Sequence, residues 1–322
     1  MGGPSARCGL GGDSHRTRPQ PRGDRRSPGR RCVVNAAGPL PLTWLYVPGD
    51  RPEVVTKALG SGADIVVVDL EDAVAPERKA YARSATAELL AESAPGPVPV
   101  HVRINSLETP LAAADAQALA GLPGLAGLRL PKVDTAEAVV RVARWAAEAP
   151  GASSRTDGVP PLYALLESAL GIENAFTIAT AHPAVRGIAL GEADLRAVLG
   201  VTGEAGLAWP RSRAVVAARA AGLAPPAQSV YPDVRDAEGL ARSCAHGRAL
   251  GFLGRTAIHP RQLPVIVRAY LPTDQEVEAA EEVIRAGSGG AGATALPDGR
   301  FVDAAVVAGA QRTLALALAR GR

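Results

Sequence analysis

Ile65-Val66-Val67-Val68-Asp69-Leu70-Glu71-Asp72-Ala73-Val74 reads as a strand that runs straight into a cluster of acids. Four consecutive β-branched apolar residues suit a strand covered on both faces, as strands are inside a parallel sheet. Three carboxylates follow within four positions, just before Pro76 opens a helix. That is more acid than a strand needs to end. A buried strand that delivers Asp69, Glu71 and Asp72 at its C-terminal end is placed to feed a functional site, the plainer reading being a solvated turn.

Working outward, the same rhythm of short apolar runs and longer helical stretches recurs. Candidate strands are Trp44–Val47, Asp64–Leu70, Val98–Ile104, Gly127–Leu130, Leu162–Leu166, Gly187–Leu190, Gln228–Val230 and Gly251–Ala257. Helical patterns follow each in turn: Pro52–Leu59, Pro76–Glu92, Leu111–Ala120, Asp134–Glu148 with Asp134 as N-cap, Gly171–Ala181, Arg211–Ala221, Asp236–Leu250 and Pro260–Tyr270. Eight strands each followed by a helix predict an α/β fold, a (β/α)8 TIM barrel. An open doubly wound sheet is the competing architecture, but no GxGxxG follows the first strand.

The barrel is expected over residues 39–271. Residues 1–38, rich in Arg, Gly and Pro, are expected to be a disordered N-terminal tail. Residues 272–322 are expected to form a C-terminal helical extension: an acidic helix, a Gly-rich hinge over 287–299 and an Ala/Leu-rich helix. The hinge suggests a lid, or a segment that reaches a neighbouring subunit.

Composition narrows the function classes. The net charge is only +3, and no basic stripe with interleaved aromatics is present, so nucleic acid is not an expected partner. No apolar run approaches a membrane span. Cys8, Cys32 and Cys244 form no CxxC pair, which argues against a zinc site or a disulfide framework and for a cytoplasmic protein. Lysine occurs only at Lys57, Lys79 and Lys132, so arginine supplies the other 32 of the 35 basic residues. A lysine retained in that background hints at a role arginine cannot fill.

In a (β/α)8 barrel the chemistry sits at the C-terminal ends of the strands. Here those ends carry Asp69, Glu71 and Asp72, then Arg103 and Asn105, Lys132, Glu167, Glu192 and Asp194, Tyr231 and Asp233, and finally Arg255, Thr256 and His259. Glu167 and Asp194 each follow an apolar run. As hard oxygen donors without clustered Cys or His, they suit Mg²⁺ or Mn²⁺. Asp69, Glu71 and Asp72 could hold the ion's waters. Arg103 offers a planar fork for a substrate carboxylate or phosphate. Gly191 and Glu192, beside Asp194, are candidate substrate contacts together with Glu167. Lys132 is a candidate catalytic residue, and His259 is a base or, more in keeping with Pro260, a cap.

Six motifs occur in order: Leu45-Tyr46-Val47-Pro48-Gly49, Asp69-Leu70-Glu71-Asp72-Ala73-Val74, Val102-Arg103-Ile104-Asn105, Leu130-Pro131-Lys132-Val133, Leu190-Gly191-Glu192-Ala193-Asp194-Leu195 and Ala257-Ile258-His259-Pro260. Over residues 42–320 the chain resembles the citrate lyase beta-subunit and malyl-CoA lyase family of the HpcH/HpaI aldolase superfamily. The resemblance implies a (β/α)8 barrel assembled as trimers or hexamers. It implies Mg²⁺-dependent cleavage or formation of a carbon–carbon bond on a coenzyme A thioester, with an oxoacid as the second product. A citrate lyase beta subunit would also need an acyl-carrier partner. By position, Glu167 and Asp194 correspond to metal ligands, Arg103 to the oxoacid clamp, and Glu71 and Asp72 to the acids behind the metal. Asp303 corresponds to an acid/base supplied by a neighbouring subunit. Three positions depart from the family pattern: Leu42-Thr43 replaces Arg-Ser, Gln228 replaces Asp, and Arg255 replaces Lys. These bear on acyl and CoA recognition. Two rival readings accompany the lyase: a Schiff-base aldolase using Lys132, and a homologue that binds oxoacid or CoA without turnover.

Overall fold

The computed structural model of the chain describes residues 40–92, 96–154, 158–287, 294–296 and 298–320. The run at 65–69 forms strand β2 (Ile65–Asp69), and every residue in it is buried. It lies inside a seven-stranded sheet with order β6-β5-β4-β3-β2-β1-β7. Its partners are β1 (Thr43–Pro48) and β3 (Val100–Arg103), followed outward by β4 (Leu125–Leu130), β5 (Leu162–Leu166) and β6 (Val185–Leu190); β7 (Arg255–Ala257) flanks β1. All pairings are parallel, so every strand delivers its C-terminal end to the same face.

The strand expected at Gln228–Val230 contributes only an isolated parallel bridge, Gln228 to Arg255. Pro225, Pro226 and Pro232 bracket it. Proline has no N–H to donate, so a longer ladder cannot form. Three backbone bonds nevertheless tie this stretch to the segment entering β7: Leu253 N to Pro226 O, Gln228 N to Gly254 O and Thr256 N to Gln228 O, at 2.9–3.0 Å. Toward β6 the link is a side chain, the Ser229 hydroxyl accepting from Glu192 N at 3.3 Å.

Side-chain alternation divides the sheet. Leu45, Val47, Val66, Val68, Val102, Leu128, Leu130, Leu162 and Leu166 face the surrounding helices and make the main core. Trp44, Ile65 and Val67 face the other way, with Ala227, into a smaller inner cluster. Burying each such valine or leucine contributes about 1.5–3 kcal/mol relative to exposure, so a slip of one residue in β2 would exchange both sets at once.

The expected helices match the sequence reading to within a few residues, with two differences, and an additional helix at Glu192–Leu199 precedes the one expected over 211–221. The helix expected to be capped by Asp134 is α4 (Ala136–Ala147), and its cap is Thr135, whose hydroxyl accepts from Ala138 N. Asp134 instead accepts the Ser168 hydroxyl, and its carbonyl accepts from Asn174, so it joins this loop to the one after β5. The single helix expected over 171–181 is two short ones, α5 (Ala169–Glu173) and α6 (Ala175–Ala179), with Asn174 closing the first and opening the second.

Beyond the sheet, α11 (Asp274–Gly287), the two-residue strands β8 (Thr294–Ala295) and β9 (Phe301–Val302), and α12 (Ala304–Leu318) share a separate small core of Ala280, Val283, Leu296, Val302 and Ala310. Arg320 returns to the N-terminal side of the sheet and donates to Asp64 Oδ1 at 2.7 Å and to Leu40 O at 2.9 Å. The expected tail over 1–38 and part of the expected hinge, residues 288–293 and 297, lie outside the described residues. No helix among the described residues is long and apolar enough to cross a membrane.

Candidate active site

At the C-terminal ends of the strands a cavity of about 470 Å³ opens among residues from every strand of the large sheet, including Tyr46, Asp69, Arg103, Arg129, Glu167, Gly191, Asp194, Ser229 and Thr256. The size suits a small substrate.

The strand-two acids form one wall. Asp69 accepts from the backbone N–H groups of Glu71 and Ala73 at 2.9 and 3.1 Å, which folds the chain sharply after β2. The same carboxylate receives Arg103 as a two-pronged fork, Nε at 2.7 Å and Nη2 at 2.6 Å. The remaining Arg103 nitrogen, Nη1, pairs with Glu71 at 2.9 Å and Asp72 at 3.3 Å. Lys132 closes the network from β4, its Nζ 2.6 Å from Glu71 Oε1 and 3.6 Å from Asp72. Lys79 pins the loop from below by donating to the carbonyls of Leu70 and Glu71. Two of the three lysines therefore serve one turn, a role that needs a compact ammonium on a flexible stem.

Lys132 is the only non-glycine residue among the described residues with a left-handed backbone, φ 50°. Such a conformation costs on the order of 1–3 kcal/mol and persists where its surroundings hold it. Here the contact with Glu71 does so. Burial alone would lower the Lys132 pKa, but the hydrogen bond it donates to Glu71 and the charges of Glu71 and Asp72 raise it. Schiff-base formation needs the neutral amine. The environment opposes it, so Lys132 is better suited to hold Glu71 than to act as a nucleophile.

Glu167 faces this wall from β5 and is only 3% exposed, with no hydrogen-bond partner on Oε2. Burial, together with the neighbouring charges of Glu71 and Asp194, pushes its pKa up to about 8 against the opposing pull of Arg103 and Lys132. Gly191 lets it sit there: a Cβ at 191 would lie 2.5 Å from Glu167 Cγ and 2.7 Å from its Cδ. Asp194, in the first turn of α7 (Glu192–Leu199), lines the same cavity from its exposed rim. A buried, unpartnered carboxyl made worse by nearby acids is what a divalent cation would relieve, and an all-oxygen donor set of this kind fits Mg²⁺.

The other expected site residues fall into place differently. Glu192 borders the cavity, but its carboxylate is bound by Arg211 of α8 (Ala208–Ala220) at 2.8 and 2.6 Å, so only its backbone is available to a ligand. His259 caps the turn at Pro260–Gln262, accepting from Arg261 N while Gln262 reaches back to it. Asp303 lies away from this chain's cavity and caps α12, Oδ1 accepting from Ala305 N and Val306 N at 2.9 Å. None of the three departing positions lines the cavity. Leu42 is fully buried at the opposite end of the sheet. Arg255 donates to Gln228 Oε1, the Ser243 hydroxyl and Ser229 O, a buried network that Tyr270 completes through Gln228. The Gln and Arg thus contact each other in a buried network, and neither lines the cavity.

Because protons and a cation would compete for Glu167, its raised pKa has a pH signature. A carboxyl whose folded pKa lies above its unfolded value adds stability below the unfolded pKa, and that contribution is lost as pH rises through about 8. Added Mg²⁺ is expected to restore the loss, so the Mg²⁺-induced rise in Tm should grow between pH 6 and pH 9. Thermal melts in paired Mg²⁺ and EDTA buffers read this directly, and a pH-independent shift would mean that Glu167 does not bind the ion.

Residues 42–260 match the family model for HpcH/HpaI aldolase/citrate lyase. A citrate lyase subunit beta from Leuconostoc mesenteroides subsp. cremoris is 36% identical over 286 residues, covering 86% of this chain and 93% of the relative. A (3S)-malyl-CoA thioesterase from Cereibacter sphaeroides is 36% identical over 285 residues, covering 85% and 93%. The crystal structure of the CitE protein from Mycobacterium tuberculosis, in complex with magnesium, acetoacetate and coenzyme A, superposes with a TM-score of 0.72 at 34% identity, covering 88% of this chain and 98% of that one.

Proposed function

The chain belongs to the HpcH/HpaI aldolase/citrate lyase family, and on that premise we propose that it is a Mg²⁺-dependent carbon–carbon lyase acting on a 3-hydroxyacyl-CoA or related thioester. The products are an oxoacid and an acyl-CoA, and the substrate is a thioester of the malyl, citramalyl or citryl type. The observation that carries the reading is Glu167: buried, unpaired on Oε2, and across one cavity from Asp194.

Glu167 and Asp194 would hold the ion. When bound, Mg²⁺ supplies Lewis acidity and a template for the 2-oxo and carboxylate oxygens of the oxoacid half. Asp69 fixes the Arg103 plane by its two-pronged contact, so the guanidinium is oriented before substrate arrives. Glu71, clamped between Arg103 and Lys132, keeps the wall's charge fixed beside Glu167. Retro-aldol cleavage removes the proton of the 3-hydroxyl, breaks the carbon–carbon bond and leaves the electron pair as a thioester enolate, which must then be protonated at carbon. Asp303 is assigned both transfers: as a carboxylate it takes the hydroxyl proton, and as the resulting acid it returns that proton to the enolate carbon. Oδ1 is committed to the helix cap, and Oδ2 carries no hydrogen bond among the described residues.

Several broader assignments complete the reading. The seven strands and the Gln228 stretch make up a (β/α)8 barrel, with α11 to α12 as its C-terminal extension. The active form is a trimer or hexamer in which Asp303 serves a neighbouring cavity. The setting is cytoplasmic. Asp303→Asn keeps a capping oxygen but cannot carry the proton. It is expected to lose about 10²-fold or more in kcat, with little change in Tm. Mixed oligomers of Asp303→Asn and Glu167→Ala chains should regain part of the activity that each lacks alone. Failure to complement would mean that Asp303 does not serve a neighbouring cavity, and an unchanged kcat in Asp303→Asn would place it outside the mechanism.

A panel of CoA esters assayed with Mg²⁺ for release of glyoxylate, pyruvate or oxaloacetate tests the function. One ester is expected to be cleaved, and EDTA to stop the reaction. Undiminished cleavage in EDTA would overturn the metal's role, and no cleavage of any ester would overturn the lyase.

A further inference from the structure

Among the described residues three arginines are buried: Arg129, Arg211 and Arg255. Arg211 is held by Glu192 and Glu204, and Arg255 by Ser229, Gln228 and Ser243. Arg129, on β4, has no acceptor among the described residues, and its Nε is buried without a hydrogen bond. It is 3% exposed and lines the floor of the active-site cavity.

Burying an unpaired guanidinium is costly by several kcal/mol. Part of that is offset by aromatic faces: the guanidinium carbon lies 5.6 Å from the Tyr163 ring centroid, 5.8 Å from Tyr46 and 5.9 Å from Trp44. Such contacts offset part of the desolvation cost and satisfy no N–H. Below, His101 stacks on Tyr163, and burial with the Arg129 charge holds its pKa well below the usual histidine range, so it adds no second cation. The rings thus grip the group and leave its N–H edge for something that enters the cavity carrying negative charge. Arg103, the other arginine there, is already shared by three carboxylates.

We infer that Arg129 is a specificity-determining residue that binds a second carboxylate of the oxoacid, one beyond the carboxylate beside the 2-oxo group, so that the cavity takes a dicarboxylic oxoacid in preference to a monocarboxylic one. This rests on the lyase reading above and adds the substrate class. Oxaloacetate and pyruvate share the 2-oxoacid unit and differ by that one carboxylate, which makes them the probes.

Calorimetric titration of the full chain with each oxoacid in Mg²⁺ tests the inference. The wild type is expected to bind oxaloacetate about tenfold to a hundredfold more tightly than pyruvate, the scale of a charge-assisted hydrogen-bond pair. Arg129→Met should reduce that ratio to near one, mainly by weakening oxaloacetate, and Arg129→Lys should recover part of it. Equal affinities in the wild type would overturn the inference without recourse to any variant, and so stand even if Arg129→Met fails to fold. Equal weakening of both oxoacids by Arg129→Met would also overturn it, because Arg129 would then hold the carboxylate they share. A wild type that binds neither oxoacid in Mg²⁺ would sink the lyase reading itself, an outcome distinct from both.

Discussion

Glu167→Gln is expected to abolish turnover and yet make the metal-free protein more stable. The native carboxyl is buried, lacks a partner on Oε2 and has its pKa pushed up to about 8. Keeping it folded at or above neutral pH therefore carries an electrostatic penalty on the order of a few kcal/mol. Glutamine keeps the shape that Gly191 accommodates and removes that penalty. It also removes one of two proposed metal ligands, so turnover should fall by roughly a thousandfold or more, the scale on which loss of a charge-stabilising group acts. Paired assays and melts in EDTA decide the matter. A residue serving only the fold would give the reverse pattern, lower Tm with partial activity.

Arg103→Ala is expected to fail in both respects. Its guanidinium neutralises Asp69 and Glu71, which are 2% and 4% exposed, and also reaches Asp72. Removing one member of a buried charge network leaves the others uncompensated, which costs about 3–5 kcal/mol. Denaturant melts should show that loss even without Mg²⁺, and activity should vanish with it. Arg103→Lys restores the charge but not the fork that meets both Asp69 oxygens, so it should recover stability in part and activity hardly at all. A variant as stable as the wild type would mean that the acids of the β2 turn do not depend on Arg103.

The contrast between these residues explains what could be read from the sequence. Glu167 and Asp194, the proposed metal ligands, stand out in the sequence because each acid follows an apolar run near a strand end, and the structure brings both to one cavity. The β2 acids were legible for the same reason, though not their division of labour: Asp69 shapes the turn as well as holding Arg103. Arg129 was missed. It sits between Leu128 and Leu130, and in an arginine-rich chain one more arginine draws no notice. Strand alternation held the clue, since Leu128 and Leu130 pack outward and their neighbour must point inward. The pairing of the Glu192 carboxylate with Arg211 was not legible, because Arg211 lies on a later helix and no local pattern announces a contact at that separation. The Gln228 strand was overextended because its apolar neighbours outweighed the prolines that shorten its ladder.

The departures at Gln228 and Arg255 carry a similar lesson. In the linear chain each looks like damage to a recognition site. Folded, they contact one another at 3.2 Å, and neither lines the cavity.

The central claim is that Glu167 and Asp194 share one divalent cation. Titrating Mg²⁺ calorimetrically into the wild type, Glu167→Ala and Asp194→Ala, each with a saturating oxoacid and each shown folded by circular dichroism, tests it most directly. The expected result is one ion per chain in the wild type and none in either variant. Unchanged Mg²⁺ binding in either variant would contradict it.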